Sequence, residues 1–339
     1  MKAQWELKTK QQMTGVGRLL KWEYLLILIL LAVLLGLKVM EPGVVNMSSI
    51  LENSMVFMDK GFIVLSMMLI LVLGEIDISV GSILCLSGVV MAVLNEKGIP
   101  FGLALAAALA VGVVCGFFNG WIITTFKELA PMIVTLATMT IYRGIAYMIL
   151  RDEAAGGFPE GFSELGWGYV AEGVPIPINL VVFLLIAAVF YIVISHTMLG
   201  RQIYAIGTNA LASEYNGIPV KRIKLALYTL NGLMSAVAGI FLMARLGSAR
   251  PNVAEGYELD VIAMCVLGGV STAGGKGTVG GAVLSVFLIG YFRYGMNIKN
   301  VPGQIMPMVI GILLIVVLVV PNVVKEIKVR RQVKHRSIS

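Results

Sequence analysis

GRQIYAIGTNALASEYNGIPVKRIK, residues 200–224, is the longest polar interval between apolar, membrane-like runs on the side that the charge pattern below makes cytoplasmic. Inside it, Thr208 or Asn209 is placed to cap a short helix running from Ala210 through Ala212 to Tyr215. Gly217 can supply the left-handed residue that ends this helix, and Pro219 prevents its continuation. Leu211, Tyr215 and Ile218 recur at i, i+4 and i+7, with Asn209, Ser213, Glu214 and Asn216 as polar edges, so the helix carries a single apolar stripe. A helix of about two turns is marginal alone, because nucleation costs more than its hydrogen bonds return. The sequence therefore predicts an exposed element that needs a surface to lie on.

The surroundings decide what kind of chain presents it. Of 339 residues, 58% are hydrophobic and 13% charged, and the mean hydropathy is +0.91. These values exclude an ordinary soluble globular protein and indicate an all-α polytopic membrane protein. The 38 glycines fit that class, since small residues let helices approach closely where lipid provides no hydrophobic drive. Cys85, Cys115 and Cys265 all fall inside apolar runs without metal or disulfide spacing and read as small buried hydrophobes. His196 and His335 read as basic loop residues. The first apolar run is followed by Glu41-Pro42 rather than a small-residue cleavage site, so it is expected to remain as a membrane helix.

Apolar runs occupy about 22–39, 55–73, 79–94, 101–125, 131–150, 178–195, 225–245, 257–271, 278–296 and 303–320. The sequence thus predicts about ten spans, with the third and eighth short for a full crossing of about 20 residues. Basic residues mark the sides: Lys2 to Lys21 before the first span, Arg201 and Lys221 to Lys224 in the opening stretch, and Lys325 to Arg336 after the last. Six spans then four separate these three stretches, so the even counts place all of them, and both termini, in the cytoplasm. The same arithmetic puts the acidic segment 151–177 outside. The expected organisation is a single membrane domain over 1–339, with membrane region 22–320, an outer loop at 151–177, a cytoplasmic loop at 197–224 and a basic tail at 321–339. Ladders of small residues, Ala104-Ala108-Gly112-Gly116-Gly120 and Ala273-Gly277-Gly281-Ser285, each predict one close-packing helix face.

GEIDISVGS at 74–82 interrupts two apolar runs with two carboxylates and two hydroxyls. Polar groups at such depth face protein, a cavity or water, and mark pathways or hinges. Asp77 and Ser79 fit either a helix cap or contact with a solute, and with Asn119 and Asn231 they are the candidates for a translocation path or its hinge. Arg143, Arg245, Asp260 and Arg293 read as snorkelling or interhelical groups near span ends. The run LGGVSTAGGKGTVGG at 267–281 is not a phosphate loop, because Gly275-Lys276 is followed by Gly277 instead of Ser or Thr and the flanks are membrane runs. It reads as a tight turn. No catalytic arrangement or metal cluster stands out, which argues against an enzyme, and the basic tails are explained by orientation and anionic lipid rather than nucleic acid.

Four segments, 74–82, GFFNGWIITTFKELAPMIVTLATMTIYRG at 116–144, the opening stretch, and GYELDVIAMCVLGGVSTAGGKGTVGGAVL at 256–284, together resemble the permease subunits of bacterial ribose-type sugar ABC importers, a group that includes rhamnose and autoinducer-2 permeases. Glu75 departs from that pattern. The resemblance implies a helical inner-membrane permease without its own ATPase site, carrying a monosaccharide or similar solute. It further implies pairing with a second copy or paralogue, an extracytoplasmic sugar-binding protein, and cytoplasmic ATPase subunits that hold ATP and Mg. Asn209 to Gly217 would then be the coupling helix that docks on the ATPase. Alternatives are a branched-chain amino acid or nucleoside permease of the same superfamily and, from another class, a secondary transporter.

Overall fold

A computed structural model describes residues 22–43 and 46–303 and several positions from 305 to 315. Thirteen helices and one hairpin are named among these residues: α1 (Trp22–Met40), α2 (Met47–Ser54), α3 (Met58–Val72), α4 (Val80–Glu96), α5 (Phe101–Thr125), α6 (Pro131–Leu150), α7 (Glu164–Trp167), β1 (Tyr169–Ala171), β2 (Val174–Pro177), α8 (Ile178–His196), α9 (Met198–Thr208), α10 (Ala210–Tyr215), α11 (Val220–Leu246), α12 (Tyr257–Leu267) and α13 (Val279–Ile298). Nine of the predicted apolar runs coincide with helices. The tenth lies largely outside the described residues, as do both basic tails and His335.

Six helices, α1, α5, α6, α8, α11 and α13, are long and apolar enough to cross a membrane, and α2 with α3, bent by 60°, would make a seventh. The chain is a polytopic helical membrane protein. At 17 and 11 residues, α4 and α12 fall below that length. Segment 151–177, expected as a plain loop, instead carries α7 and an antiparallel β1–β2 hairpin, so the all-helical expectation needs this small amendment.

At the centre stands α3, every residue of which is buried, Asp59 and Lys60 included. It is packed by α8, α11, α12 and α13, which is why its sequence shows no polar face. The ladder on α5 does what small residues at that spacing predict: Ala104, Ala108, Gly112, Gly116 and Gly120 all lie on its buried face. A Cβ on Gly116 would fall 2.4 Å from the Tyr228 carbonyl oxygen, and one on Gly112 2.5 Å from that of Gly232. Helices α5 and α11 therefore touch backbone to backbone. The second ladder is different. Ala273 and Gly277 precede α13 and lie in the α12–α13 turn, so only Gly281 and Ser285 belong to a helix face, both buried.

Two ends of the bundle can be told apart. At one, which carries the hairpin, the ends of α4 and α11 meet residues 155–167: the Asn95 side-chain amide donates to the Gly157 carbonyl at 2.9 Å, Ala155 pairs with Ala249, and the Trp167 indole donates to the Arg245 carbonyl at 2.9 Å. At the other, α9, α10 and the α12–α13 turn gather around the end of α3, where the Gly275 amide donates to the Val72 carbonyl at 2.8 Å and the Tyr204 hydroxyl to Gly277 at 2.7 Å.

Candidate functional site

The opening stretch is more helical than its composition suggests. Residues 198–208 form α9, with Gly200, Ile203 and Ile206 buried, and α11 begins at Val220 rather than about 225. Between them α10 runs over the predicted residues. Of the two candidate caps, Asn209 makes the bond, its Oδ1 accepting from the Ala212 amide at 2.9 Å, while the Thr208 hydroxyl donates back to Tyr204 within α9. Gly217 ends the helix at φ +78°, a region that strains residues with a Cβ. The apolar pair does not lie on the bundle: Leu211 is 63% and Tyr215 85% exposed, and only Ser213 is buried.

Behind α10 lies the interruption between α3 and α4. Helix α3 ends in a double bond pattern, Gly74 amide to Leu71 carbonyl at 2.9 Å and Glu75 amide to Ile70 carbonyl at 3.1 Å, with Gly74 at φ +81°. That is the Schellman arrangement, and glycine suits its left-handed position. The chain then runs without helical bonds until α4. Non-helical backbone inside a membrane bundle is tolerated only where protein satisfies its polar groups, and here it does. The Thr135 hydroxyl on α6 accepts from the Ile78 amide at 3.2 Å and sits 3.3 Å from the Ile76 carbonyl.

The side chains of the break close a network. Asp77 Oδ1 accepts from the Ser79 amide at 2.9 Å and from its hydroxyl at 2.6 Å, and Oδ2 accepts from Asn231 Nδ2 at 2.8 Å. The Ser66 hydroxyl on α3 donates to Asn231 Oδ1 at 2.7 Å, Asn119 Nδ2 donates to Ser79 Oγ at 2.8 Å, and the Tyr142 hydroxyl stands 2.9 Å from Asn119 Oδ1. Asp77, Ser79, Asn119 and Asn231 are all 0% exposed. Ser66 lies six residues from the end of α3, about 9 Å by the helical rise, so Asp77 sits well inside the bundle rather than at its mouth. Nearer the mouth, Glu75 pairs with Lys224 and accepts from the Tyr228 hydroxyl at 3.0 Å. Lys224, Tyr228 and Asn231 follow one another at i, i+4 and i+7, so a single face of α11 grips the whole interruption.

With this arrangement in view, comparison with known proteins is direct. Residues 49–318 match the family described as branched-chain amino acid transport system / permease component. The chain belongs to this permease family. Similar relatives include the autoinducer 2 import system permease protein LsrD of Escherichia coli strain K12 and of Shigella flexneri, each 32% identical over 304 residues that cover 88% of this chain and 91% of theirs. No solved structure matches.

The permease holds a second polar cluster that its sequence conceals. Asp260 Oδ2 lies 2.6 Å from Lys60 Nζ and its Oδ1 2.5 Å from Arg293 Nη2, while Asp59 Oδ2 is 3.4 Å from Arg245 Nη2 and accepts from the Tyr257 hydroxyl at 3.1 Å. Lys60 also lies 4.2 Å from the centre of the Tyr257 ring. These groups tie α3, α11, α12 and α13 together, so of the two readings offered for Arg245, Asp260 and Arg293 it is the interhelical one that holds: the charges turn inward to partners. Arg143 donates to the carbonyls of Pro251 and Val253 at 2.7 and 2.6 Å, and so pins the segment before α12. The three cysteines are buried. Among the described residues no group of three His, Cys, Asp or Glu is placed to hold a metal.

Thus the four path-or-hinge candidates are brought into one network, and the nine coupling candidates into one exposed cap-to-cap element. Sequence reasoning missed Ser66, Thr135, Tyr142 and Tyr228, which look like ordinary members of apolar spans. It also missed Lys60 and Asp59, whose only signal was two adjacent charges at the start of an apolar run.

Proposed function

We propose that this chain is the membrane-spanning permease subunit of an ATP-driven, binding-protein-dependent importer of a monosaccharide or similar small polar carbohydrate. In this reading the chain is one membrane domain of ten traversing segments in a bacterial inner membrane. The α9–α10 end and both termini are cytoplasmic and the hairpin end faces outward. The observation that carries it is α10: a capped six-residue helix whose apolar pair, Leu211 and Tyr215, its own bundle leaves uncovered. An exposed pair on so short a helix is explained by a partner surface. The partner is a cytoplasmic ATPase subunit, which holds ATP and Mg; a sugar-binding protein meets the hairpin end, and a second permease copy or paralogue completes the pathway.

Transport is then a population shift. Closure of the ATPase pair moves the docked helices, and this changes which face of the permease is open only if ATPase contacts differ between the two states. The buried break serves as a hinge: its backbone is held by the Thr135 hydroxyl on α6 and its side chains by bonds to α5 and α11 rather than by helical bonds, so it can re-form with different partners at modest cost. Affinity for cargo rests mainly with the binding protein. The relatives named for autoinducer 2 import belong to the ribose-type group the motifs resemble, which favours a carbohydrate. The family description favours branched-chain amino acids as the second reading. Uptake of labelled sugars and labelled leucine, isoleucine and valine by the reconstituted complex decides between them: accumulation of a sugar supports the first reading, and of an amino acid alone the second.

A further inference from the structure

Helix α10 and the buried break are separated by a cleft of about 360 Å³. Ala210, Leu211 and Glu214 line one side of it, Glu75 and Lys224 the other. At its edge Lys127 and Glu214 stand 3.8 Å apart with exposed side chains, a contact too loose and too solvated to hold the cleft at fixed width. The connection behind it is tight. The Ile218 amide donates to the Ser213 carbonyl at 3.0 Å and the Val220 amide to the Ile218 carbonyl at 2.8 Å, so α10 passes into the first turn of α11 without slack.

We infer that the Glu75–Lys224 ion pair is the link through which a displacement of α10 reaches the break between α3 and α4, making Glu75 a positioning residue for transport. The inference rests on the docking role proposed for α10. Lys224 lies one turn beyond Val220, and so follows any tilt of the first turn of α11. Glu75 lies on the break, yet both its carboxylate oxygens are held from α11, one by Lys224 and the other by Tyr228. At 8% exposure its charge has little water to turn to and must follow its partners. Two residues on, Asp77 is bound to Asn231 on the same face of α11. A tilt of α11 is thereby imposed on the break at two points, with the outer one adjoining α10.

The test uses the full complex of permease and ATPase subunits, with cysteine in place of Ile76 as a reporter on the break. The rate at which a small maleimide modifies it is compared with and without a non-hydrolysable ATP analogue. With Glu75 and Lys224 present the analogue changes the rate. Glu75→Gln and Lys224→Gln each reduce that change about tenfold, a usual size for coupling between sites, while still co-purifying with the ATPase. The exchange Glu75→Lys with Lys224→Glu restores most of it, which a role in folding alone would not produce. An unchanged response in both single variants, or an exchange variant no better than they are, overturns the link. Should the single variants fail to assemble, the exchange variant decides alone: a restored response supports the link and an absent one overturns it. Leu211→Asp separates the two claims, since full retention of the ATPase by that variant overturns the docking role itself.

Discussion

Asp260 neutralises two cations at once, Lys60 and Arg293, in surroundings with little water. Removing the shared anion is therefore more damaging than removing the whole set. Asp260→Leu leaves the buried Lys60 and the partly buried Arg293 without their shared anion and is expected to cost about 3–5 kcal/mol, whereas Lys60→Met, Asp260→Leu and Arg293→Met together recover most of that loss. Melting of the purified protein in detergent measures both. Asp77→Asn is a subtler change. The amide keeps the shape of the carboxylate but turns one acceptor into a donor, facing either Ser79 or the Asn231 amide, both of which donate to it. About 1–3 kcal/mol of lost bonding is expected at the break, with normal membrane insertion and, if the break is the hinge proposed above, reduced uptake. Normal transport at normal expression would demote Asp77 to a dispensable helix cap.

Among the elements, the α5–α11 seam allows a sharp contrast. Gly116→Leu must push α11 away because the obstacle is backbone, and a destabilisation of about 3 kcal/mol or more is expected. Gly144→Ala on α6, where an added Cβ meets nothing within 4 Å, should leave melting unchanged. The seam was legible beforehand, since repeated small residues at i+4 report a local, periodic property. So were most helix bounds, the α10 cap to within Thr208 or Asn209, and the stop at Gly217. Helix α9 was not: MLGRQIYAIGT falls largely within the interval read as polar although six of its eleven residues are apolar, and it is helical because Ile203, Ile206 and Gly200 find a surface, which is a tertiary fact. The break at 74–82 was legible as an interruption, but what satisfies it was not. Asp77 meets Asn231 and Lys60 meets Asp260 across 154 and 200 residues, and no spacing rule reaches that far.

Over the whole molecule, the two polar clusters divide the work. The ion pairs of Asp59, Lys60, Arg245, Asp260 and Arg293 hold α3, α11, α12 and α13 together, while the network at the break joins α3 and α11 to α5 and α6 beside the turn where α10 passes into α11. In the importer proposed above, the ion pairs would keep these helices together while the break responds to the motor. The central claim is that α10 is gripped by an ATPase subunit. Because Cys85, Cys115 and Cys265 are buried, single cysteines introduced at Leu211 and Tyr215 can be cross-linked selectively in membranes containing the assembled importer, with Val170→Cys on the hairpin as the control. The account predicts a cross-link to the ATPase subunit from positions 211 and 215 and none from 170; cross-linking absent at 211 and 215 in a transport-competent complex would contradict it.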